Sequence, residues 1–474
     1  MYRRNFLLSS LSVLSAAQKA PPNIVVILAD DLGTGDVASY NPESRIRTPN
    51  IDRIGRQGAR FTDAHSPSSL CTPTRYGLLT GRYCWRTRLK SGVLNGYSRN
   101  LIEDERPTIA SLLKKSGYRT GGFGKWHLGL GTTEPADFFK DFSPSPLDHG
   151  FDEYFGIPAS LDMPPYVFVD GKRAEETPTG KIADNGEVKR GPYWRGGPKA
   201  PSFEMDQVVP RLTSRAVDFI QKSSSQPFFA YVPLPAPHTP WVPTKEFLGR
   251  SKAKLYGDFV EQLDDCVGRI LKALDDTGKA GNTLIIMTSD NGAPWEKRDM
   301  EENSGHWANG FLRGQKSDAF EGGHRIPFLA RYPGVIKPNT VSDATICLTD
   351  IFATCAKAAG VIPPNDSGED SFAIQPAFQG QRGSRAVRPF VIHHAGNGMF
   401  AVREDNWKLI LGLGSGGFTL PVKIEPAAGQ APGQLFDLAN DPFEREDVYS
   451  KNPQKVQHLT SLLSKVQADG RSHA

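Results

Sequence analysis

Asn23-Ile24-Val25-Val26-Ile27-Leu28, followed at once by Ala29-Asp30-Asp31-Leu32-Gly33, is a short apolar run that begins after two prolines and stops at two acidic residues. An unbroken run of this length, rich in Val and Ile and without polar alternation, reads as a strand buried on both faces. Runs of similar character cover Arg119 to Phe123, Pro227 to Val232 and Thr283 to Thr288. Helical patterns lie between them, including Thr108 to Lys115, Gln207 to Lys222, and the stripe Phe259, Leu263, Val267, Ile270, Leu274 that stops near Gly278. Strands alternating with helices predict an α/β fold, a large mainly parallel sheet sandwiched by helices.

In such sheets ligands bind beyond the carboxyl ends of the strands. Here the four runs are followed by Asp30 and Asp31, by Lys125 and His127, by His238, and by Asp290 and Asn291. Acidic oxygen ligands suit a hard cation, and Lys and His suit an anion drawn to it. One such cluster is no more than a polar turn would supply; four make a site.

At 474 residues the chain exceeds the usual limit of a single core. The first 20 residues stand apart: Arg3 and Arg4, an apolar stretch from Phe6 to Leu14, then Ser15, Ala16 and Ala17. This predicts an export signal, its adjacent arginines resembling the twin-arginine type, and a periplasmic or secreted protein. Beyond it no segment is apolar enough to cross a bilayer, so stable membrane insertion is not expected. Residues 21–363 read as the catalytic domain, in which the Pro-, Gly- and Asp-rich stretch 130–206 forms long surface excursions. Residues 364–474 read as a smaller domain: short strands at Pro389 to His393, Met399 to Val402, Trp407 to Leu411 and Leu435 to Leu438 form an antiparallel sheet, and a helix runs from Pro453 to Ala468. A net charge of +4 fits an anionic substrate and is far from a nucleic-acid-binding profile.

The five cysteines, at 71, 84, 266, 347 and 355, are too few and scattered for a disulfide scaffold. Cys266 lies on a helical apolar stripe and reads as core, as do Cys347 and Cys355 in a second, helical apolar stretch. Cys71 differs. It sits in Ser69-Leu70-Cys71-Thr72-Pro73-Thr74-Arg75, where Pro73 suits the first turn of a helix and puts Cys71 at its positive end. The helix terminus and Arg75 together predict a favoured thiolate or an anion site.

Cys71-Thr72-Pro73-Thr74-Arg75, continued by Leu78-Leu79-Thr80-Gly81-Arg82, resembles the signature of the type I sulfatases, members of the alkaline phosphatase superfamily. Position 74 is Thr where many members carry Ser. The resemblance implies that Cys71 is oxidised to formylglycine by a formylglycine-generating or anaerobic sulfatase-maturating enzyme, and that the aldehyde hydrate attacks the sulfur of a sulfate ester. It further implies one Ca²⁺ per chain, held by Asp30, Asp31, Asp290 and Asn291. Gly124-Lys125-Trp126-His127-Leu128-Gly129 is similar to the segment whose Lys and His contact hydrate and sulfate. His238, in Pro237-His238-Thr239-Pro240, matches the group that protonates the departing alcohol. Lys316, ahead of Phe320-Glu321-Gly322-Gly323, matches a sulfate-binding Lys, and Ser160 a sulfate-contacting position. Arg75, Lys125 and Lys316 would offset charge on the transferring group, and His127 would take the last proton as sulfate leaves.

The branch resembled includes arylsulfatase A and the N-acetylgalactosamine-6-sulfatases, which implies a sulfated carbohydrate or aryl sulfate substrate. His306 and the loop Asn303 to Asn309 are candidates to reach that substrate, while His393 and His394 read as structural or at the pocket rim. Two rivals stand beside this reading. A phosphatase or phosphodiesterase of the same superfamily needs a second Asp and His metal cluster, which is not legible in the sequence. A noncatalytic binder of sulfated glycans would keep Cys71 as a thiol.

Overall fold

The computed structural model describes residues 20–186, 190–380 and 387–473, so the export signal read over 1–20 lies, but for its last residue, outside the described part. The strand Asn23–Asp30 is the middle of a ten-stranded sheet. From one edge the order is Thr340–Ser342, Ala59–Phe61, Phe328–Arg331, Thr283–Ser289, Asn23–Asp30, Phe228–Pro237, Arg119–Lys125, Glu153–Ile157, Val169–Asp170 and Arg173–Ala174. The five strands from Thr283–Ser289 to Glu153–Ile157 are all parallel, with Val25 lying between Ala230 and Ile285. Antiparallel pairings appear only outside them, at Phe328–Arg331 and at Val169–Asp170.

Ile24 to Ala29 are fully buried, as expected of a strand covered on both faces. Truncating Ile27 to Ala there would cost about 2–5 kcal/mol, the transfer term plus an unfilled cavity. Helices Pro49–Arg56, Val208–Lys222 and Lys254–Asp276 pack on one another, and helices Cys71–Thr80, Ile109–Lys115 and Asp350–Ala358 form a second packed set. Thr108 caps Ile109–Lys115 by accepting from the Ser111 N–H, which fixes the start of that helix.

Beyond this lies a four-stranded antiparallel sheet, Phe390–His394, Phe400–Glu404, Trp407–Ile410 and Gln434–Asp437, with helix Pro453–Asp469 packed on its two central strands. Its core residues Val391, Val402 and Leu435 pack with Tyr83 and Trp85, which follow the Cys71 helix.

Two sequence readings need correction. The stretch 130–206 is not only surface excursion: Glu153–Ile157 is the fifth parallel strand, and Gly180–Ile182 pairs with Gly197–Lys199. A five-residue strand containing Gly156 and flanked by turn formers has too little periodicity to stand out, and its partner at Arg119–Lys125 decides its state. Cys347 is not helical but ends the short strand Ile346–Cys347, whereas Cys355 is in helix Asp350–Ala358; both are buried core.

Candidate active site

The carboxyl ends of the parallel strands converge. Asp30 is the last residue of its strand, and Asp31 turns into the left-handed region at φ 69°, which Asp tolerates better than most residues. The Asp31 N–H donates to Asp290 Oδ1 at 3.2 Å, and the Asp290 N–H to the Ala29 carbonyl at 3.1 Å, so the first and fourth strand ends are tied together. Asn291 Nδ2 donates to Asp31 Oδ1 at 2.6 Å and to the Gly292 carbonyl at 3.0 Å. Gly292 passes so close to the Gly322 carbonyl that a Cβ would collide with it, which is why this turn needs glycine.

Three cations face these carboxylates. Lys125 Nζ donates to Asp30 Oδ2 at 2.7 Å, and Lys316 Nζ to Asp31 Oδ1 at 2.6 Å. Arg75 reaches Asp290 Oδ2 through Nε at 3.0 Å and Nη2 at 2.7 Å, and gives Nη1 to the Lys125 carbonyl at 3.1 Å. Its guanidinium is fully buried against Asp290 and Asp30, so Arg75 braces the carboxylates instead of the cysteine it follows. Burial alone would raise the Asp30 carboxyl, but Lys125, His238 and Arg75 hold it well below the usual carboxylate range. Burial and the adjacent Asp30 charge push Asp290 up to about 6 against the pull of Arg75. Asp31 holds the Lys316 ammonium above its ordinary range although burial works the other way.

Asp30 Oδ1 and Asn291 Oδ1 are both buried without a protein hydrogen-bond partner. A buried acceptor left unmade costs about 1–3 kcal/mol, so two within one acidic cluster point to a ligand that supplies the missing interaction. The donors of Asp30, Asp31, Asp290 and Asn291 are all oxygen, which fits a hard divalent cation such as Ca²⁺. Ligand atoms of Asp30, Cys71 and Asp290 lie within 4.8 Å of one another, as do those of Asp30, Asp31 and His238.

Cys71 is the first residue of helix Cys71–Thr80, and the preceding Leu70 offers no side-chain cap. The first-turn N–H groups of Cys71 and Thr72 therefore lack a side-chain cap, the setting of helix-terminus anion sites, while Pro73 has no N–H to offer. The segment is pinned by Thr74 Oγ1, which donates to the Ser68 carbonyl at 2.9 Å, and by the Ser317 N–H, which donates to the Ser69 carbonyl at 2.7 Å. The expected thiolate is not favoured. Burial pushes the Cys71 thiol up, and Lys125 and Lys316 only partly offset this because Asp290 and Asp30 stand beside them.

His127 Nε2 lies 2.7 Å from the Leu94 carbonyl. A carbonyl only accepts, so Nε2 carries the proton and Nδ1, buried without a protein partner, is a free base. Burial first, then Lys125 and Arg75, hold His127 well below the usual imidazole range, and it is neutral at pH 7. His238 is the complementary case: Nδ1 gives its proton to the Thr239 carbonyl at 2.5 Å, and Nε2 faces Asp31 Oδ2 at 3.6 Å.

Ser160 is buried with its Oγ unpartnered, in the segment whose Pro158 carbonyl accepts the His127 N–H. Two residues on, Asp162 places Oδ1 3.9 Å from His238 Nδ1 and pairs with Arg195. Sequence reasoning missed Asp162, which carries no signal beyond its closeness to Ser160. His306 is buried, and its Nε2 meets Asp36 Oδ1 at 2.7 Å; Asp36 in turn accepts from the Gly33 N–H and the Tyr256 hydroxyl. His393 and His394 are interior. His393 stacks on His324, which meets His65 through Nδ1 atoms 3.1 Å apart, so a second His and carboxylate cluster exists after all. Its carboxylates Asp63 and Glu321 are already matched by Arg403 and Lys408, which leaves little call for a metal cation.

Buried carboxylates and cations, the start of the Cys71 helix and two histidines thus meet at the carboxyl ends of neighbouring parallel strands, an arrangement suited to binding an anionic ester. The chain belongs to the sulfatase family, whose model matches residues 22–361, and it hydrolyses sulfate esters. It is 34% identical to the N-acetylgalactosamine-6-O-sulfatase of Bacteroides thetaiotaomicron, over 94% of this chain and 93% of that one. It is 32% identical to the mouse steryl-sulfatase, over 96% of this chain and 82% of the relative. A solved B. thetaiotaomicron structure from work on the metabolism of multiple glycosaminoglycans superposes with a TM-score of 0.84 at 33% identity, covering 94% of this chain and 99% of that one. The ten-stranded sheet and the small antiparallel sheet are those of this family.

Proposed function

We propose that this sulfatase removes sulfate from carbohydrate esters after export to the periplasm or medium, using a formylglycine made from Cys71 and one Ca²⁺. The observation that carries the proposal is the state of Cys71. Buried at the start of its helix, Cys71 has its ligand atom within 4.8 Å of those of Asp30 and Asp290, with Lys125 and Lys316 also acting on it, and its burial disfavours the thiolate. Conversion to the aldehyde, in net R–CH₂–SH plus water giving R–CHO plus H₂S, two protons and two electrons, is a two-electron oxidation at Cβ whose electrons pass to an oxidant supplied by the separate maturation enzyme. The hydrated aldehyde supplies two hydroxyls on one carbon, one to attack sulfur and one to let the aldehyde reform as sulfate leaves.

Asp30, Asp31, Asp290 and Asn291 would hold Ca²⁺, which supplies positive charge beside the sulfate oxygens. Lys125 and Lys316, with the uncapped N–H groups of the Cys71 helix, orient the sulfate and offset its developing charge. Arg75 keeps Asp290 and Asp30 in place, a supporting role and not direct sulfate contact. His238 in its doubly protonated form, Nδ1–H held by the Thr239 carbonyl, would deliver the Nε2 proton to the departing alcohol oxygen as the sulfur–oxygen bond breaks, leaving the ring neutral. His127 Nδ1 takes the proton of the remaining hydroxyl, for which a neutral ring with one free lone pair is the required state. Ser160 Oγ adds a neutral donor at the sulfate.

Carbohydrate is favoured over sterol by the relative named for N-acetylgalactosamine and by the structure from glycosaminoglycan work. Sulfated monosaccharides, an aryl sulfate and a steryl sulfate assayed side by side test this. A highest kcat/KM on a sulfated sugar supports the reading, and a highest value on the sterol overturns it.

A further inference from the structure

A second surface lies beside the site. A cleft of about 1010 Å³ is lined by Gln315, the residue before Lys316, and bounded on its far side by Phe418 and Leu420 of the small domain. The two walls are fastened together: the Ala319 N–H donates to the Ser415 carbonyl at 2.8 Å, and the Thr419 N–H to Asp318 Oδ1 at 3.0 Å. The cleft is therefore a fixed feature of the segment that carries Lys316.

Its lining is unusual for a solvated surface. Phe311 is 88% exposed, Leu420 82% and Phe418 50%, an apolar patch of the kind that marks a binding groove when polar groups rim it. The rim carries the exposed cations Lys297, Arg313 and Arg445, of which Lys297 lies 3.6 Å from Glu301 and Arg313 stacks over Phe320 and donates to the Glu444 carbonyl. Of the two carboxylates in the lining, Glu444 is buried with Lys408 and the Glu321 N–H, while Glu296 is half exposed and offset by Arg190 and Gln315. Flat apolar rings with separate cations match a chain whose units present apolar ring faces and carry anionic groups. Sulfated or carboxylated polysaccharide has that chemistry; a neutral glycan lacks the charge and a sterol the repeated anions.

We propose that this cleft is a binding site for the anionic glycan chain beyond the sulfated sugar that occupies the catalytic centre. It makes the enzyme selective for oligosaccharides over single sugars. The proposal rests on the sulfated-carbohydrate reading above, and the test is a binding measurement so that the two can fail separately.

The Cys71→Ala protein is titrated, by fluorescence polarisation, with end-labelled octasaccharides of chondroitin 6-sulfate, heparan sulfate and κ-carrageenan, and with the corresponding sulfated single sugars. At least one octasaccharide is expected to bind about tenfold or more tighter than its single sugar, equivalent to about 1.4 kcal/mol. That gain is expected to vanish in Phe311→Ala/Phe418→Ala, and to shrink with added salt and in Lys297→Ala/Arg445→Ala. Equal affinity of all three octasaccharides and their single sugars overturns the proposal. So does a gain that survives the double Phe variant, or a change of oligomeric state in that variant without a change in glycan affinity, which would make the cleft a contact between copies. Hydrolysis of an aryl sulfate by the matured wild-type enzyme reports on the catalytic reading independently.

Discussion

Lys316 Nζ donates to both carboxylate oxygens of Asp31, at 2.6 and 2.9 Å, so a cation assigned to the sulfate and a carboxylate assigned to the metal form one buried pair. Removing only the cation leaves the buried Asp31 with the Asn291 amide at 2.6 Å and His238 Nε2 at 3.6 Å but without its ammonium partner. Lys316→Ala is expected to destabilise the fold by about 3–5 kcal/mol in the presence of chelator. Asp31→Asn/Lys316→Ala should recover part of that loss, and Ca²⁺ should offset it in the single variant. Chemical denaturation with and without Ca²⁺ checks this, and equal stability of the single and double variants in chelator would contradict it. The same Lys316→Ala change should lower kcat/KM by about 10²–10³-fold by removing charge stabilisation of the transferring group.

Chelation of the wild-type enzyme with EGTA should abolish turnover and lower Tm, with both restored by Ca²⁺. Ligand held only by the folded state stabilises it by about 2.7 kcal/mol at a hundred times its Kd. An enzyme fully active after exhaustive chelation would contradict the role of Asp30, Asp31, Asp290 and Asn291.

The two histidines separate kinetically. His238→Ala should reduce hydrolysis of a sugar sulfate by about 10²–10⁴-fold but that of a nitrophenyl sulfate far less, because a good leaving group needs no proton. His127→Ala should impair both substrates and show a burst of alcohol release followed by slow turnover, since its base acts as sulfate leaves. Stopped-flow assays on the two substrates check this, and identical leaving-group dependence in the two variants would contradict it.

Burial pushes His394 down to about 4, in the strand whose carbonyl at that position accepts the Ser69 N–H beside Cys71. Its folded pKa is below the unfolded value of about 6.5, so the unfolded state binds more protons and stability is lost as pH falls from 6.5 to about 4. His394→Gln removes that titration. The stability of wild type relative to the variant should fall by roughly 3 kcal/mol across this window and stay flat above it. Denaturation curves of both proteins at pH 7.5, 5.5 and 4.5 supply the difference, in which shared titrations cancel.

The sheet was legible because its central strands are buried on both faces, and unbroken runs such as Ile24 to Leu28 leave few other readings. The ends of those strands were legible for the same reason, since Asp30, Lys125, His238 and Asp290 are the polar residues at which the apolar runs break off, although Asp30, Lys125 and Asp290 stay fully buried. Glu153–Ile157 was not, because a neighbouring strand and not its own pattern makes it a strand. The partner of Arg75 was equally hidden: proximity in sequence pointed to Cys71, while the helix turns the guanidinium toward Asp290. The cluster around His65 draws on residues from 63 to 408, so no local spacing could reveal it. Cys71 itself combined a legible position with an illegible state, because a helix terminus favours a thiolate and only the packed structure shows burial and two carboxylates outweighing it.

The central claim is that the encoded thiol at position 71 is a precursor. Mass spectrometry of the peptide containing residue 71, from protein made in a host with an active sulfatase-maturation enzyme, tests it directly, with sulfatase activity assayed on the same preparations. The account predicts a peptide lighter by the exchange of CH₂–SH for CHO, with activity rising in proportion to the converted fraction. An unmodified Cys71 in fully active enzyme would contradict it.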